Sequence, residues 1–145
     1  MKKITIIGTG YVGLVTGAGL ADFGNDVICV DISENKINSL KKGIIPFYEP
    51  GLDELVLNNT NSGRLKFSTN IENAIQNCEV VFIAVGTPEK SNGKADLESV
   101  LTVAKTIAVI IASKQTLKLP TEIAPNRKDG FQTQTREPTA ELTRS

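Results

Sequence analysis

Apolar residues fall along this chain in two rhythms. Residues 3–7, 27–31, 65–68 and 80–85 are short apolar runs of strand length, the last of them Val80-Val81-Phe82-Ile83-Ala84-Val85. Between these runs the apolar positions recur every three or four residues. Val12, Leu14, Val15, Ala18, Leu20 and Ala21 predict a helix that starts after Gly10 and closes at Phe23-Gly24-Asn25. Ser33 is placed to cap a helix bearing Ile37 and Leu40, stopped by Gly43. An irregular stretch from Ile44 to Leu52 precedes a short amphipathic helix over roughly 52–58, and another runs from about Asn70 to Gln76. Asp96 opens a last helix whose Leu97, Val100, Leu101, Ala104 and Ile107 keep the period to about Ala112. Strands alternating with helices predict an α/β fold with a doubly wound parallel sheet. The unbroken apolar run 80–85 predicts a strand covered on both faces.

The junction of the first strand and first helix carries the clearest chemistry. Gly8-x-Gly10-x-x-Gly13 directly follows the strand, and Asp31 ends the second strand. In that context the three glycines form a dinucleotide-binding, Rossmann-like fingerprint. Gly8 allows the tight turn, Gly10 lets the backbone approach a pyrophosphate, and Gly13 lets the helix pack on the sheet. The helix N-terminus offers unpaired N–H groups to the phosphates. Asp31 suits two ribose hydroxyls and would repel a 2′-phosphate, so NAD is expected rather than NADP. Gly86-Thr87-Pro88 ends the 80–85 run at the carboxyl edge of the sheet, where ligands of open α/β sheets bind.

Composition narrows the classes without adding a site. The 145 residues have a formal net charge of zero and no long basic run, which argues against nucleic acid or an acidic membrane surface as main partner. The start, with Lys2, Lys3 and an apolar stretch, imitates a secretory leader, but motif glycines interrupt it and Asp22 follows it. No segment is apolar for long enough to span a bilayer, and a cytoplasmic location is expected. Histidine is absent. Cys29, inside a strand, and Cys78, just before one, therefore lack a ready base or metal partner and are expected to be inert thiols. No metal site and no catalytic residue is expected in this chain.

Residues 113–145 differ from the rest. They hold Pro120, Pro125 and Pro138, six basic and four acidic residues, and no sustained apolar period. A polar, disordered tail is expected there, behind an incomplete Rossmann-like domain over 1–112.

Taken together, the Gly8–Gly13 turn, Asp31 with Lys36, Glu49-Pro50-Gly51-Leu52 and Val85-Gly86-Thr87-Pro88 resemble the UDP-glucose 6-dehydrogenase family, within the UDP-glucose/GDP-mannose dehydrogenases. The resemblance covers about residues 1–108, the first part of an NAD-binding domain. It implies an NAD-dependent oxidoreductase of nucleotide-sugar metabolism and polysaccharide biosynthesis. Such enzymes turn UDP-glucose into UDP-glucuronate by two hydride transfers through a covalent intermediate on a cysteine. The resemblance places Gly10, Tyr11, Val12 and Gly13 at the pyrophosphate, Asp31 at the adenosine ribose with Lys36 beside it, and Gly86, Thr87 and Pro88 on the nicotinamide side. Lys36 reads equally as a solvated charge on a helix face. Glu49-Pro50-Gly51 reads equally as a plain helix start.

Departures from the family pattern set the limits. Where the family continues with an apolar strand and Lys-Ser-Thr-Val-Pro, this chain has Ser113-Lys114-Gln115-Thr116-Leu117-Lys118-Leu119-Pro120. Neither cysteine has the glycine-rich setting of the family's nucleophile. A chain that binds NAD weakly and does not catalyse alone is expected, its simplest history being truncation with a shifted frame near residue 110. Its partner would be a nucleotide sugar only in the full-length family, with a homodimer or a complementing fragment as protein partner. A stand-alone NAD-sensing regulatory module and a non-functional fragment remain as alternatives. Without a further strand, the 80–85 run would become a sheet edge that invites aggregation.

Overall fold

The computed structural model describes residues 1–116. The elements alternate as β1 (Lys3–Ile7), α1 (Tyr11–Asp22), β2 (Asp26–Val30), α2 (Glu34–Lys41), α3 (Leu52–Asn61), β3 (Leu65–Ser68), α4 (Ile71–Gln76), β4 (Val80–Ile83) and α5 (Glu98–Thr116). The four strands form one parallel sheet in the order β3-β2-β1-β4. The chain thus winds outward from β1 through β2 to β3, then crosses back to place β4 on the other side of β1. That reversal makes the carboxyl ends of β1 and β4 a switch point, where open sheets bind ligands.

Side chains alternate across the sheet and find helices on both faces. Ile4, Ile6, Val27 and Cys29 join Leu14, Ala18 and Ala21 of α1 and Leu52 and Val56 of α3 in one buried core. Thr5 points the other way, toward α4, and its buried hydroxyl donates to the Ala74 carbonyl at 2.8 Å. Close approach of α1 depends on a missing side chain: a Cβ at Gly17 would stand 2.5 Å from the Cys29 sulfur.

Local signals set most boundaries. Ser33 caps α2 by accepting from the Lys36 N–H, and Asn70 caps α4 by accepting from the Asn73 N–H. Gly51 enters α3 with φ 79°, the left-handed region that suits glycine. That helix outlasts its expected end by three residues, through the loop-like Asn59-Thr60-Asn61. Asn59 is fully buried there, donating to the Leu55 carbonyl and Asp22 and accepting from the Arg64 guanidinium.

Two expectations fail on the β4 side. Only Val80–Ile83 form the strand, and Val80, Phe82 and Ile83 stay 37–41% exposed instead of covered on both faces. The cause is position: β4 is the edge of the described sheet, flanked only by β1. The last helix also runs to Thr116, past the boundary expected at 112, and the Lys114 ammonium donates to the Gln76 carbonyl at the end of α4. The rest of the expected tail lies outside the described residues. Among the described residues, no helix is long and apolar enough to cross a membrane.

Candidate functional site

The turn between β1 and α1 is shaped by what cannot be attached to it. Gly8 has φ 105°, and a Cβ there would lie 2.5 Å from the Ala84 carbonyl oxygen of the neighbouring strand end. A Cβ at Gly13 would collide with the Gly8 carbonyl. Gly10, in contrast, has nothing within 4 Å of its missing Cβ. The turn is thus packed tight on its protein side and open at Gly10.

Gly10 is also the N-cap of α1, so no side chain caps this helix, and its first turn carries no acid. The first intrahelical bond runs from the Leu14 N–H to the Gly10 carbonyl, leaving the N–H groups of Tyr11, Val12 and Gly13 without helical acceptors. Each of the other described helices has an acid in its first turn, Glu34, Asp53 with Glu54, Glu72 and Glu98 respectively. The positive end of α1 alone is left for an anion from outside.

Asp31 stands one residue past β2, its amide donating to the Ser68 carbonyl. The Thr9 amide and hydroxyl both donate to its Oδ2, at 2.9 and 2.8 Å, and the Ser33 amide donates to Oδ1 at 3.0 Å. Lys36 Nζ lies 3.7 Å from Oδ2. Burial by itself pushes this carboxyl up, but the Ser33 and Thr9 amides, the Thr9 hydroxyl and the Lys36 charge outweigh it, leaving it below the usual value. It is therefore a fixed anion with one oxygen less occupied than the other.

These groups share one cleft of about 760 Å³ along the carboxyl edge of the sheet. Gly8, Gly10, Asp31, Lys36 and Gly86 all line it, and the far wall is closed by Asp96, two residues before α5, and by Glu98, Ser99 and Thr102 of α5. Tyr11, Val12 and Gly13 follow directly at the helix N-terminus. Thr87 and Pro88 are exposed and stand outside the lining, although the Pro88 carbonyl accepts from the Asp96 N–H at 2.7 Å and so anchors the far wall. Glu49 reaches back to the turn: its Oε2 accepts from the Tyr11 hydroxyl at 2.6 Å, while Phe47 packs on the Tyr11 ring at 5.2 Å between centroids. That hydrogen bond and the Glu49 charge hold the Tyr11 hydroxyl above its usual pKa.

Sequence reasoning missed Thr9 and the α5 wall. Thr9 carries a faint signal, a hydroxyl inside the glycine turn, but its partner is twenty-two residues away. Neither cysteine lies on the cleft. Cys29 is buried under α1, which pushes its thiol up to about 12, and the Cys78 thiol donates to the Ile75 carbonyl. Among the described residues, no cluster of His, Cys, Asp and Glu could hold a metal ion.

A family model described as the NAD binding domain of the UDP-glucose/GDP-mannose dehydrogenase family matches residues 2–139, so the likeness extends past residue 108, where it was expected to end. The chain belongs to this family. UDP-glucose 6-dehydrogenase YwqF of Bacillus subtilis is 48% identical over 125 residues, covering 82% of this chain and 28% of that protein. UDP-glucose 6-dehydrogenase of Rhizobium meliloti is 51% identical over 126 residues, covering 82% and 29%. Among solved structures, a ternary complex of GDP-mannose dehydrogenase from Pseudomonas aeruginosa superposes with TM-score 0.74 at 41% identity, covering 77% of this chain and 26% of that one. UDP-glucose dehydrogenase from Pyrobaculum islandicum gives 0.75 at 37% identity, covering 79% and 26%. The chain therefore spans little more than a quarter of the dehydrogenases it resembles. The open Gly10, the uncapped α1 and the fixed Asp31 fit the dinucleotide that defines this domain of the family.

Proposed function

We propose that this chain supplies the adenosine and pyrophosphate half of an NAD site for a nucleotide-sugar dehydrogenase, with UDP-glucose as the sugar nucleotide of the whole protein. One juxtaposition carries this reading: the open Gly10 and the uncapped start of α1 lie beside the Asp31 carboxylate on a single cleft. Bound NAD would supply the hydride acceptor. The chain's own residues bind and orient. Gly10 admits the pyrophosphate, and the Tyr11 and Val12 amides donate to it. Asp31 accepts from the ribose, Lys36 partly balances its charge, and Gly86 borders the cleft toward the nicotinamide side, with Thr87 and Pro88 exposed beyond the lining.

By itself the 145-residue chain should bind NAD weakly and oxidise nothing. Hydride transfer needs the sugar held against the nicotinamide. The acid-forming step needs an accessible thiolate, and Cys29 is sealed in the core. Calorimetry with NAD and NADP, together with NADH absorbance in the presence of UDP-glucose, tests both statements. NAD binding that exceeds NADP binding without turnover supports the proposal. Equal binding of the two would remove the role given to Asp31, and NADH formation would refute the claim of no catalysis.

A further inference from the structure

Thr9 is 1% exposed, and it spends both of its donors on one oxygen of one side chain. A buried threonine could have been satisfied by any nearby carbonyl. Here the amide and the hydroxyl converge on Asp31 Oδ2 from the turn, while the Ser33 amide holds Oδ1 from the start of α2. Three directional bonds fix the plane of the carboxylate, and the two from Thr9 leave Oδ1 as the oxygen with spare acceptor capacity. An anion so fixed offers a set geometry to a pair of adjacent hydroxyls and a set repulsion to a phosphate in their place.

We propose that Thr9 is a positioning residue that orients Asp31 and thereby sets the preference of this site for NAD over NADP. The inference rests on the reading of the cleft as the NAD site. Thr9 touches no part of the dinucleotide in this role and acts only through the carboxylate. Replacing its hydroxyl by a methyl group of the same shape leaves Asp31 with one strong bond fewer and an apolar neighbour, which frees its rotamer and weakens the anion. The other charges facing Asp31 are Lys36 from α2 and, across the cleft, Asp96 just before α5 and Glu98 at its start.

The test uses the 145-residue chain and titrates NAD and NADP by calorimetry across a pH series from mildly acidic to neutral. In Thr9→Val the NAD affinity should fall roughly tenfold, as loss of a hydrogen bond to a charged group implies, while NADP affinity changes little. The acid limb of NAD binding should move to higher pH, because Asp31 then protonates more readily. Thr9→Ser should restore the wild-type ratio and limb, and Thr9→Ala serves in place of valine if that variant does not fold. In the double variant Asp31→Asn with Thr9→Val, the second change should have no further effect on NAD affinity. An unchanged NAD/NADP ratio in Thr9→Val, or an equal loss when the same change is made on top of Asp31→Asn, overturns the role of Thr9 while leaving the site intact. Failure of the wild-type chain to bind either NAD or ADP-ribose overturns the site itself and Thr9 with it.

Discussion

The β2–β3 flank of the sheet and its β4 flank are made of equally apolar segments that reach opposite ends. On the first, Ile6, Leu14, Val27 and Leu65 disappear from solvent between the sheet and α1, α2 and α3. On the second, Phe82 of β4 remains two-fifths exposed. Leu97 just before α5, and Leu101, Val109 and Ile111 on it, are each about half exposed or more. The larger apolar side chains that α5 does turn inward, Val100, Val103, Ile107 and Ile110, are only half-buried. An apolar pattern states that a segment needs cover. Which element provides it is settled elsewhere in the sequence.

Core truncation should separate the two flanks most sharply. Leu14→Ala should cost about 2–5 kcal/mol of unfolding free energy in urea, the range for deleting a fully buried leucine. Leu101→Ala on the exposed face of α5 should change it by no more than about 0.5 kcal/mol. Equal losses would show that the two flanks are packed alike. Next in size, Gly13→Ala drives a methyl group into the Gly8 carbonyl, and overpacking of this kind costs about 1–3 kcal/mol. Calorimetry on the same variant should show NAD binding lost, since the turn must shift.

A pH titration of stability sharpens the contrast at the site. Asp31 has a folded pKa below its unfolded value, so its stabilisation is fully present above the unfolded pKa and is lost as pH falls through the folded one. Chemical denaturation carried from neutral pH down through the carboxylate range should show a larger drop in the wild type than in Asp31→Asn, the remainder belonging to Glu79 and Asp96, whose carboxyls are also held low. The smallest effect on stability is expected for Leu101→Lys. This change should leave the urea midpoint nearly unmoved yet reduce self-association in sedimentation, because a charge then interrupts the exposed apolar face of α5.

Much of the fold was legible because its signals are local. β1 and β3 take their expected residues, and Ser33 and Asn70 announce their helices through bonds three residues long. The glycine turn was legible for the same reason. What was not legible depends on distant partners. Asn59 looks like loop and is core because Asp22 and Arg64 reach it. α5 continues past Ala112 to a lysine whose acceptor is Gln76. The run 80–85 takes the edge of the described sheet, as expected without a further strand, but its unbroken apolar pattern overstated its cover. Thr9 with Asp31 and Tyr11 with Glu49 are likewise pairings across the chain, so the glycines pointed to the cleft but not to the bonds that set its geometry.

The sulfur lodged where Gly17 has no side chain has a practical consequence. Cys29 sits at the interface of α1 and β2 with a thiol that stays protonated up to about pH 12, so an alkylating reagent has neither access nor a thiolate to attack while that interface is closed. Cys78, partly exposed below α4, offers a second label outside that seam. The chain thus carries a paired chemical clock. The rate at which Cys29 becomes labelled counts how often helix and strand part company, and its slowing by a ligand would measure how firmly that ligand holds α1 against β2.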